Sequence, residues 1–202
     1  MKKFGRMCVP VLAVSALVLS GCSGADEPAD TAAVDQQQQV APSGFLESNC
    51  SVPGPPTEVA DAPAGTSAPG VVVADGAEGV PLVYVATEAL PADSLQVVSI
   101  RPGNGPSAAL GDNVTVNYCG VGMSSGQLFD SSWARGAPAT FPLVQGGLIE
   151  GWVQGVPGMQ LGEQVLLVIP GGLAYGANPP PGIEPDETLI FVVELLEITG
   201  EG

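Results

Sequence analysis

The 202-residue chain contains no histidine and has few basic residues. Without histidine, it cannot form a Ser-His-Asp triad, a Cys-His dyad or a histidine-ligated metal site. Five basic residues stand against 21 acidic ones, and only Arg101 and Arg135 lie beyond residue 6. Nucleic-acid binding is not expected, because a phosphate backbone requires several cations on one surface. We also expect no metal ion and no cofactor.

Aromatic residues are scarce as well, at 5% of the chain, but most of them fall between residues 118 and 191. A hydrophobic core would explain this concentration of rings. An apolar pocket lined by aromatic side chains is the alternative.

The N-terminus has the pattern of an export signal. Lys2, Lys3 and Arg6 precede an apolar run over residues 9–19, which is too short to span a bilayer comfortably. The run ends in the sequence LSGC, which resembles a bacterial lipobox with Cys22 as the lipidation site. We therefore predict a lipoprotein signal peptide over residues 1–21 and an exported protein, anchored by lipid to the outer face of the bacterial cell membrane. An ordinary secretory signal with a chance cysteine is the alternative.

Composition divides the remaining chain into three segments. Residues 22–70 are rich in Pro, Ala, Gly and Gln, and this composition predicts a disordered tether. Residues 71–94 are predicted to form an N-terminal β extension. Residues 95–202 are predicted to form the main domain.

Apolar, β-branched segments separated by turn residues predict six strands. They cover residues 71–73, 81–85, 95–100, 114–118, 165–169 and 189–198. The last is mostly apolar and suits a central strand buried on both faces. One short helix is predicted over residues 150–159, where Trp152, Val153 and Val156 have near-helical spacing. Several strands with one short helix predict an α+β fold.

A series of motifs over residues 95–199 resembles the FKBP-type peptidyl-prolyl cis-trans isomerases. They are VTVNYCG at 114–120, GQLFDSS at 126–132, PATFPL at 138–143, LIEGW at 148–152, LAYG at 173–176, PGI at 181–183 and TLIFVVELL at 188–196. The resemblance implies a twisted antiparallel β-sheet, the FKBP-like half-barrel, wrapped on one short helix. It also implies X-Pro polypeptides as partners and, within the family, macrolide ligands.

The same resemblance implies a proline pocket. Trp152 would form its floor, and its walls and edge would carry the other residues of catalysis: Tyr118, Phe129, Asp130, Ile149, Tyr175 and Phe191. The backbone N–H of Ile149 and the hydroxyl of Tyr175 would donate hydrogen bonds to substrate carbonyls. Phe141, Leu148 and Ile183 would contribute to substrate binding.

The sequence departs from the family pattern at three places. Leu173 stands where the family has the first tyrosine of its Y-A-Y-G turn. Ala139 stands where the family has an aromatic wall residue, which puts macrolide affinity in question. The loop between Tyr175 and Phe191 is one residue short and rich in proline and acidic residues. Within it, we interpret Asp186 and Glu187 as a solvated face.

The four cysteines have separate expected fates. Cys8 would leave with the signal peptide, and Cys22 would carry lipid. Cys50 and Cys119 remain, and an even pair in an exported protein suggests a disulfide. Two free thiols are the alternative.

These observations predict a monomeric peptidyl-prolyl isomerase that assists the folding of exported proteins at the cell surface or in the periplasm. The alternative is a non-catalytic proline-binding scaffold or chaperone lipoprotein on the same fold. A substrate-capturing transporter component is a weaker alternative, because the chain lacks a two-lobed length.

Overall fold

In the computed structural model, which describes residues 44–200, the first five strands form one antiparallel sheet. The strands are β1 (Phe45–Asn49), β2 (Thr57–Val59), β3 (Thr66–Ala68), β4 (Val71–Asp75) and β5 (Pro81–Ala86). Their spatial order is β2-β1-β5-β4-β3. A 3-10 turn at Ala77–Gly79 joins β4 to β5. The two longest apolar runs, in β4 and β5, lie side by side and supply the buried face of this sheet.

A second antiparallel sheet contains the remaining six strands. They are β6 (Gln96–Arg101), β7 (Asn113–Gly122), β8 (Leu128–Ser131), β9 (Ala139–Pro142), β10 (Gln164–Ile169) and β11 (Leu189–Thr199). The order is β6-β10-β11-β7-β8, and β9 also pairs with β7. As predicted, the last strand is central, since β11 lies between β10 and β7.

The helices of residues 44–200 are short. They are α1 (Ser132–Arg135), α2 (Glu150–Gly155) and two 3-10 turns, at Ala77–Gly79 and Gly171–Leu173. Helix α2 ends before the predicted residue 159, because Pro157 cannot donate a backbone hydrogen bond and Gly158 adopts a positive φ of 96°. No helix in the described residues is both long and apolar enough to cross a membrane.

The second sheet is buried on both faces. Because successive strand residues point to opposite faces, Val165, Leu167 and Ile169 of β10 pack toward α2, in a cluster that includes Trp152. Their neighbours Leu166 and Val168 pack in a second cluster with Val71, Val73, Val83 and Val85 of the first sheet. The two sheets therefore share one hydrophobic core. Helix α2 covers a second hydrophobic core on the opposite face of the second sheet.

The prediction of a disordered tether is wrong over residues 44–70. This segment contains β1, β2 and β3, and the predicted boundary at residue 70 falls between two paired strands, β3 and β4. Composition alone disfavours these short strands, but β1 pairs with β5 over five residues and its end is held to the second sheet by a disulfide. The remainder of the predicted tether, the signal peptide and Cys22 lie outside the described residues.

The fold class is confirmed: an α+β domain whose antiparallel sheet wraps one short helix, with the six predicted strands present. The sequence did not indicate α1, which is a single turn. Its N-cap is Ser131, whose Oγ accepts a hydrogen bond from the N–H of Ala134 at 3.2 Å.

Candidate active site

A cavity of about 540 Å³ opens between α2 and the strands of the second sheet. It contains nine of the ten residues predicted for catalysis or substrate binding. The lining residues are Tyr118, Phe129, Asp130, Phe141, Gly146, Gly147, Leu148, Ile149, Glu150, Trp152, Ala174, Tyr175 and Phe191. The exception is Ile183, which packs against the core cluster beneath the cavity without lining it.

Trp152 lies at the base of an aromatic cage. Its side chain is 3% exposed, and its ring meets those of Tyr118, Phe141 and Phe191 at centroid distances of 5.5, 5.5 and 5.4 Å. All three contacts are edge-to-face, a preferred arrangement for aromatic pairs. Phe129 extends the cage through an edge-to-face contact with Phe191 at 5.6 Å. The base of the cavity is therefore an apolar surface of fixed geometry.

Two glycines allow the cage to close. A Cβ atom at Gly120 would lie 2.4 Å from the Phe129 ring and 2.9 Å from the Phe191 ring. A Cβ atom at Gly151 would lie 2.4 Å from a methyl group of Ile169, so α2 can approach β10 only with glycine there. Sequence reasoning quoted both glycines within motifs but gave neither a role.

One edge of the cavity is polar. The Tyr118 hydroxyl donates a hydrogen bond to Asp130 Oδ2 at 2.5 Å, and Arg135 Nη2 donates to that hydroxyl oxygen at 2.9 Å. Arg135 also forms an ion pair with Asp130, and its guanidinium lies 5.4 Å from the centre of the Tyr118 ring. Arg135 was missed by sequence reasoning, although it is one of two cations in residues 44–200.

This environment keeps the Tyr118 hydroxyl protonated. Burial, together with the hydrogen bond to Asp130, raises the pKa of Tyr118 to about 12, and the opposing effect of Arg135 is smaller. Burial and the charge of Asp130 also raise the pKa of Tyr175. Both hydroxyls therefore remain hydrogen-bond donors at neutral pH.

The loop that carries Tyr175 is held at its far end by Glu187. Tyr175 is 40% exposed at the cavity mouth. Glu187 is 8% exposed, so the interpretation of this residue as part of a solvated face is wrong. Its carboxylate accepts hydrogen bonds from the hydroxyl of Ser124 at 2.5 Å and from the backbone N–H of Glu184 at 2.9 Å. These bonds replace the water that a buried carboxylate loses.

The disulfide joins Cys50 to Cys119, with Cα atoms 5.7 Å apart. Cys119 follows Tyr118 on β7 and points to the opposite face, into the core shared by the two sheets. Ser131, at the end of β8, adds a second link, because its hydroxyl donates a hydrogen bond to the Cys50 carbonyl at 2.6 Å. The first sheet is thus attached to the two strands that supply Tyr118, Phe129 and Asp130.

Comparison with known proteins assigns the class. Residues 105–196 match the family model described as FKBP-type peptidyl-prolyl cis-trans isomerase. The FK506-binding protein of Streptomyces anulatus is 48% identical over 110 residues, which cover 54% of this chain and 88% of that protein. A peptidyl-prolyl cis-trans isomerase of Saccharomyces cerevisiae is 49% identical over 89 residues, covering 44% of this chain and 66% of the relative.

A solved structure agrees with these relatives. The crystal structure of FkpA from Escherichia coli matches with a TM-score of 0.50 and 40% sequence identity, covering 54% of this chain and 49% of FkpA. The chain therefore belongs to the FKBP-type peptidyl-prolyl cis-trans isomerase family. It is a peptidyl-prolyl cis-trans isomerase, and its first sheet lies before the region that the family model matches.

The reaction requires no bond to be made or broken. The barrier to rotation about a peptide bond, about 18–20 kcal/mol, arises from its partial double-bond character. Uncatalysed X–Pro isomerisation takes roughly tens to hundreds of seconds. An enzyme need only bind the twisted amide more tightly than the planar one.

Proposed function

We propose that the prolyl residue of a client polypeptide sits on Trp152 inside the aromatic cage and isomerises there. The observation that carries this assignment is the convergence of three rings on Trp152 at 5.4–5.5 Å, which forms an apolar base for one cyclic side chain. Tyr118, Phe129 and Phe191 form the walls.

The cavity would act by favouring the less dipolar, twisted amide. A planar amide is more dipolar than a twisted one, so an apolar site stabilises it less. A million-fold acceleration corresponds to about 8 kcal/mol. Two groups would donate hydrogen bonds to the client's carbonyls. They are the Ile149 amide at the N-terminus of α2 and the Tyr175 hydroxyl at the cavity mouth. The protonated Tyr118 hydroxyl and Asp130 would keep the adjacent wall fixed.

The test is an exchange-spectroscopy assay of an X–Pro peptide with the full chain. Tyr175→Phe removes the hydroxyl at the mouth and is expected to lower kcat/KM, whereas Tyr84→Phe makes the same change in the first sheet and is expected to leave it unaltered. Equal activity of Tyr175→Phe and the wild type would remove the hydroxyl from the mechanism. An inactive wild type would instead favour a non-catalytic proline-binding scaffold.

We propose further that the enzyme is exported, anchored by lipid on Cys22, and assists the folding of other exported proteins. The basic N-terminus, the apolar run and the LSGC sequence support export and lipidation. The disulfide supports an oxidising compartment, since such bonds are rare in the cytosol.

Cell fractionation tests this location with a matched pair of cysteine variants. Cys22→Ser is expected to move the protein from the membrane fraction to the soluble fraction and to abolish incorporation of labelled fatty acid. Cys8→Ser, immediately before the apolar run, is expected to change neither. Membrane attachment of the Cys22→Ser protein would contradict the lipid anchor.

We also infer that the cavity binds macrolides, as the name of the Streptomyces relative says of that protein. Ala139 packs against the core beside Phe141 and offers only a methyl group where the family has a ring. Macrolide inhibition of the isomerase is therefore expected to strengthen in Ala139→Tyr. An unchanged inhibition constant would show that this wall does not contact the ligand.

A further inference from the structure

A buried carboxylate outside the cavity joins two loops. Glu187 does not line the cavity, and each of its two oxygens accepts a hydrogen bond from a backbone N–H. Oε1 accepts from Ser124 at 3.1 Å, in the turn between β7 and β8, and Oε2 accepts from Glu184 at 2.9 Å. The Ser124 hydroxyl also donates to Oε1 at 2.5 Å. Hydrogen bonds to a carboxylate are roughly twice as strong as neutral ones, so this contact ties the loop before β11 to the β7–β8 turn.

The backbone around Glu187 leaves room for its carboxylate and fixes the next residue. A Cβ atom at Gly122 would lie 2.5 Å from Glu187 Oε1, so a side chain there would displace the carboxylate. Thr188 follows Glu187, and its carbonyl accepts from the Met123 N–H at 3.0 Å. The Thr188 hydroxyl accepts from the Ala92 N–H at 3.0 Å. Glu187 is therefore fixed at the point where the loop enters β11.

This anchor lies one peptide bond from the contact that places Tyr175. The Asp186 N–H donates to the Gly176 carbonyl at 2.8 Å, and Gly176 is joined directly to Tyr175. Asp186 has a positive φ of 56°, a left-handed conformation that few residues with a side chain adopt. Such a conformation persists only where the contacts around it enforce it. Glu187 supplies these contacts on one side of Asp186.

We propose that Glu187 is a positioning residue of the isomerase, which holds the loop so that the Tyr175 hydroxyl stays at the cavity mouth. The path runs from the β7–β8 turn through the Glu187 carboxylate, the Asp186 N–H and the Gly176 carbonyl. Tyr175 is 40% exposed, so the packing of its own ring holds it only in part. The inference rests on the proposed role of the Tyr175 hydroxyl.

A double-mutant cycle in the full chain separates positioning from a general structural effect. Glu187→Gln keeps the shape of the side chain but retains one oxygen, so one of the two backbone N–H groups faces an amide NH₂ group. We expect kcat/KM for an X–Pro peptide to fall about fivefold, the effect of one hydrogen bond. In a Tyr175→Phe background, the same substitution is expected to leave kcat/KM unchanged, because the hydroxyl through which it acts is already absent.

Glu163 offers a matched control. Its carboxylate accepts from the Ser99 hydroxyl and from the backbone N–H of Gln160, each at 2.9 Å, and it does not line the cavity. Glu163→Gln breaks the same kind of contact and is expected to leave kcat/KM unchanged. Ser124→Ala removes one bond at the other end of the Glu187 contact, so a smaller fall in kcat/KM is expected, again absent with Tyr175→Phe. Thermal unfolding of each variant establishes that the compared proteins are folded.

Fluorine NMR reports on the tyrosine ring itself. The chain has three tyrosines, so the protein labelled with fluorotyrosine gives three signals, and Tyr175→Phe assigns one of them. Glu187→Gln is expected to shift or broaden the Tyr175 signal and to leave the Tyr84 signal in place. Glu163→Gln is expected to move neither.

The outcomes separate this inference from the proposed function. An equal fall in kcat/KM in both backgrounds, or an unmoved Tyr175 signal, would overturn the positioning role. Wild-type kcat/KM for Glu187→Gln, beside a slowed Tyr175→Phe, would also overturn it and leave the Tyr175 assignment standing. Equal activity of Tyr175→Phe and the wild type would instead overturn the assignment of the hydroxyl, and the positioning role with it.

Discussion

Removal of the Cys50–Cys119 disulfide is expected to cost most of the stability that holds the first sheet to the second. The bridge closes a loop of 69 residues. In the chain-entropy model, a loop of this length contributes about 4 kcal/mol by restricting the unfolded chain. Both cysteines are fully buried between the sheets, so a Cys50→Ala/Cys119→Ala protein also loses the packing of two sulfur atoms.

Urea unfolding measures this loss. With Cys8 and Cys22 replaced by serine in both samples, the bridge and its sulfur atoms are the only difference between them. At a slope of about 2 kcal/mol per molar urea, a loss of about 4 kcal/mol lowers the midpoint by about 2 M. Isomerase activity below the transition is expected to be largely retained, because β7 is still paired with β8, β9 and β11. An unchanged midpoint would refute the claim that residues 45–86 are an integral layer of the fold.

Two further predictions concern the cage. Gly151→Ala places a methyl group 2.4 Å from an Ile169 methyl and is expected to destabilise the protein by about 1–3 kcal/mol in thermal unfolding. Gly172→Ala, which has open space around it, is the control and should leave the stability nearly unchanged. Because the folded protein raises the pKa of Tyr118 from 10.0 to about 12, the contribution of Tyr118 to the free energy of unfolding should be constant below pH 10 and be lost as the pH rises from 10 to 12. Urea unfolding across this range should show a smaller fall for Tyr118→Phe; identical curves would contradict the burial of a neutral hydroxyl.

Four of the six strands of the second sheet could be predicted because they carry their own signal, whereas β8 and β9 were not predicted as strands. The segments that become β7, β10 and β11 are rich in Val, Ile and Leu between turn residues, so local preference and tertiary packing agree. The cage residues were also predicted, because the short motifs that contain these rings resemble those of the FKBP family.

The remaining features depend on contacts that no local pattern contains. Strands β1 to β3 are short and separated by prolines and glycines. They form because β1 pairs with β5, β2 pairs with β1 and β3 pairs with β4, and because the end of β1 is joined to a disulfide partner 69 residues away. Glu187 is buried because Ser124, 63 residues earlier, lies opposite it. Arg135 joins the cavity edge only once the turn of α1 brings it back over Tyr118.

The central claim, that catalysis takes place over Trp152, is tested most directly by comparing the two tryptophans of the chain. Trp152 forms the cavity base, whereas Trp133 is partly buried in the core shared by the two sheets. The measurement is kcat/KM for X–Pro isomerisation by Trp152→Leu and Trp133→Leu, each established as folded by its urea transition. We predict a large loss in Trp152→Leu and retention in Trp133→Leu; full activity in a folded Trp152→Leu protein would contradict the account.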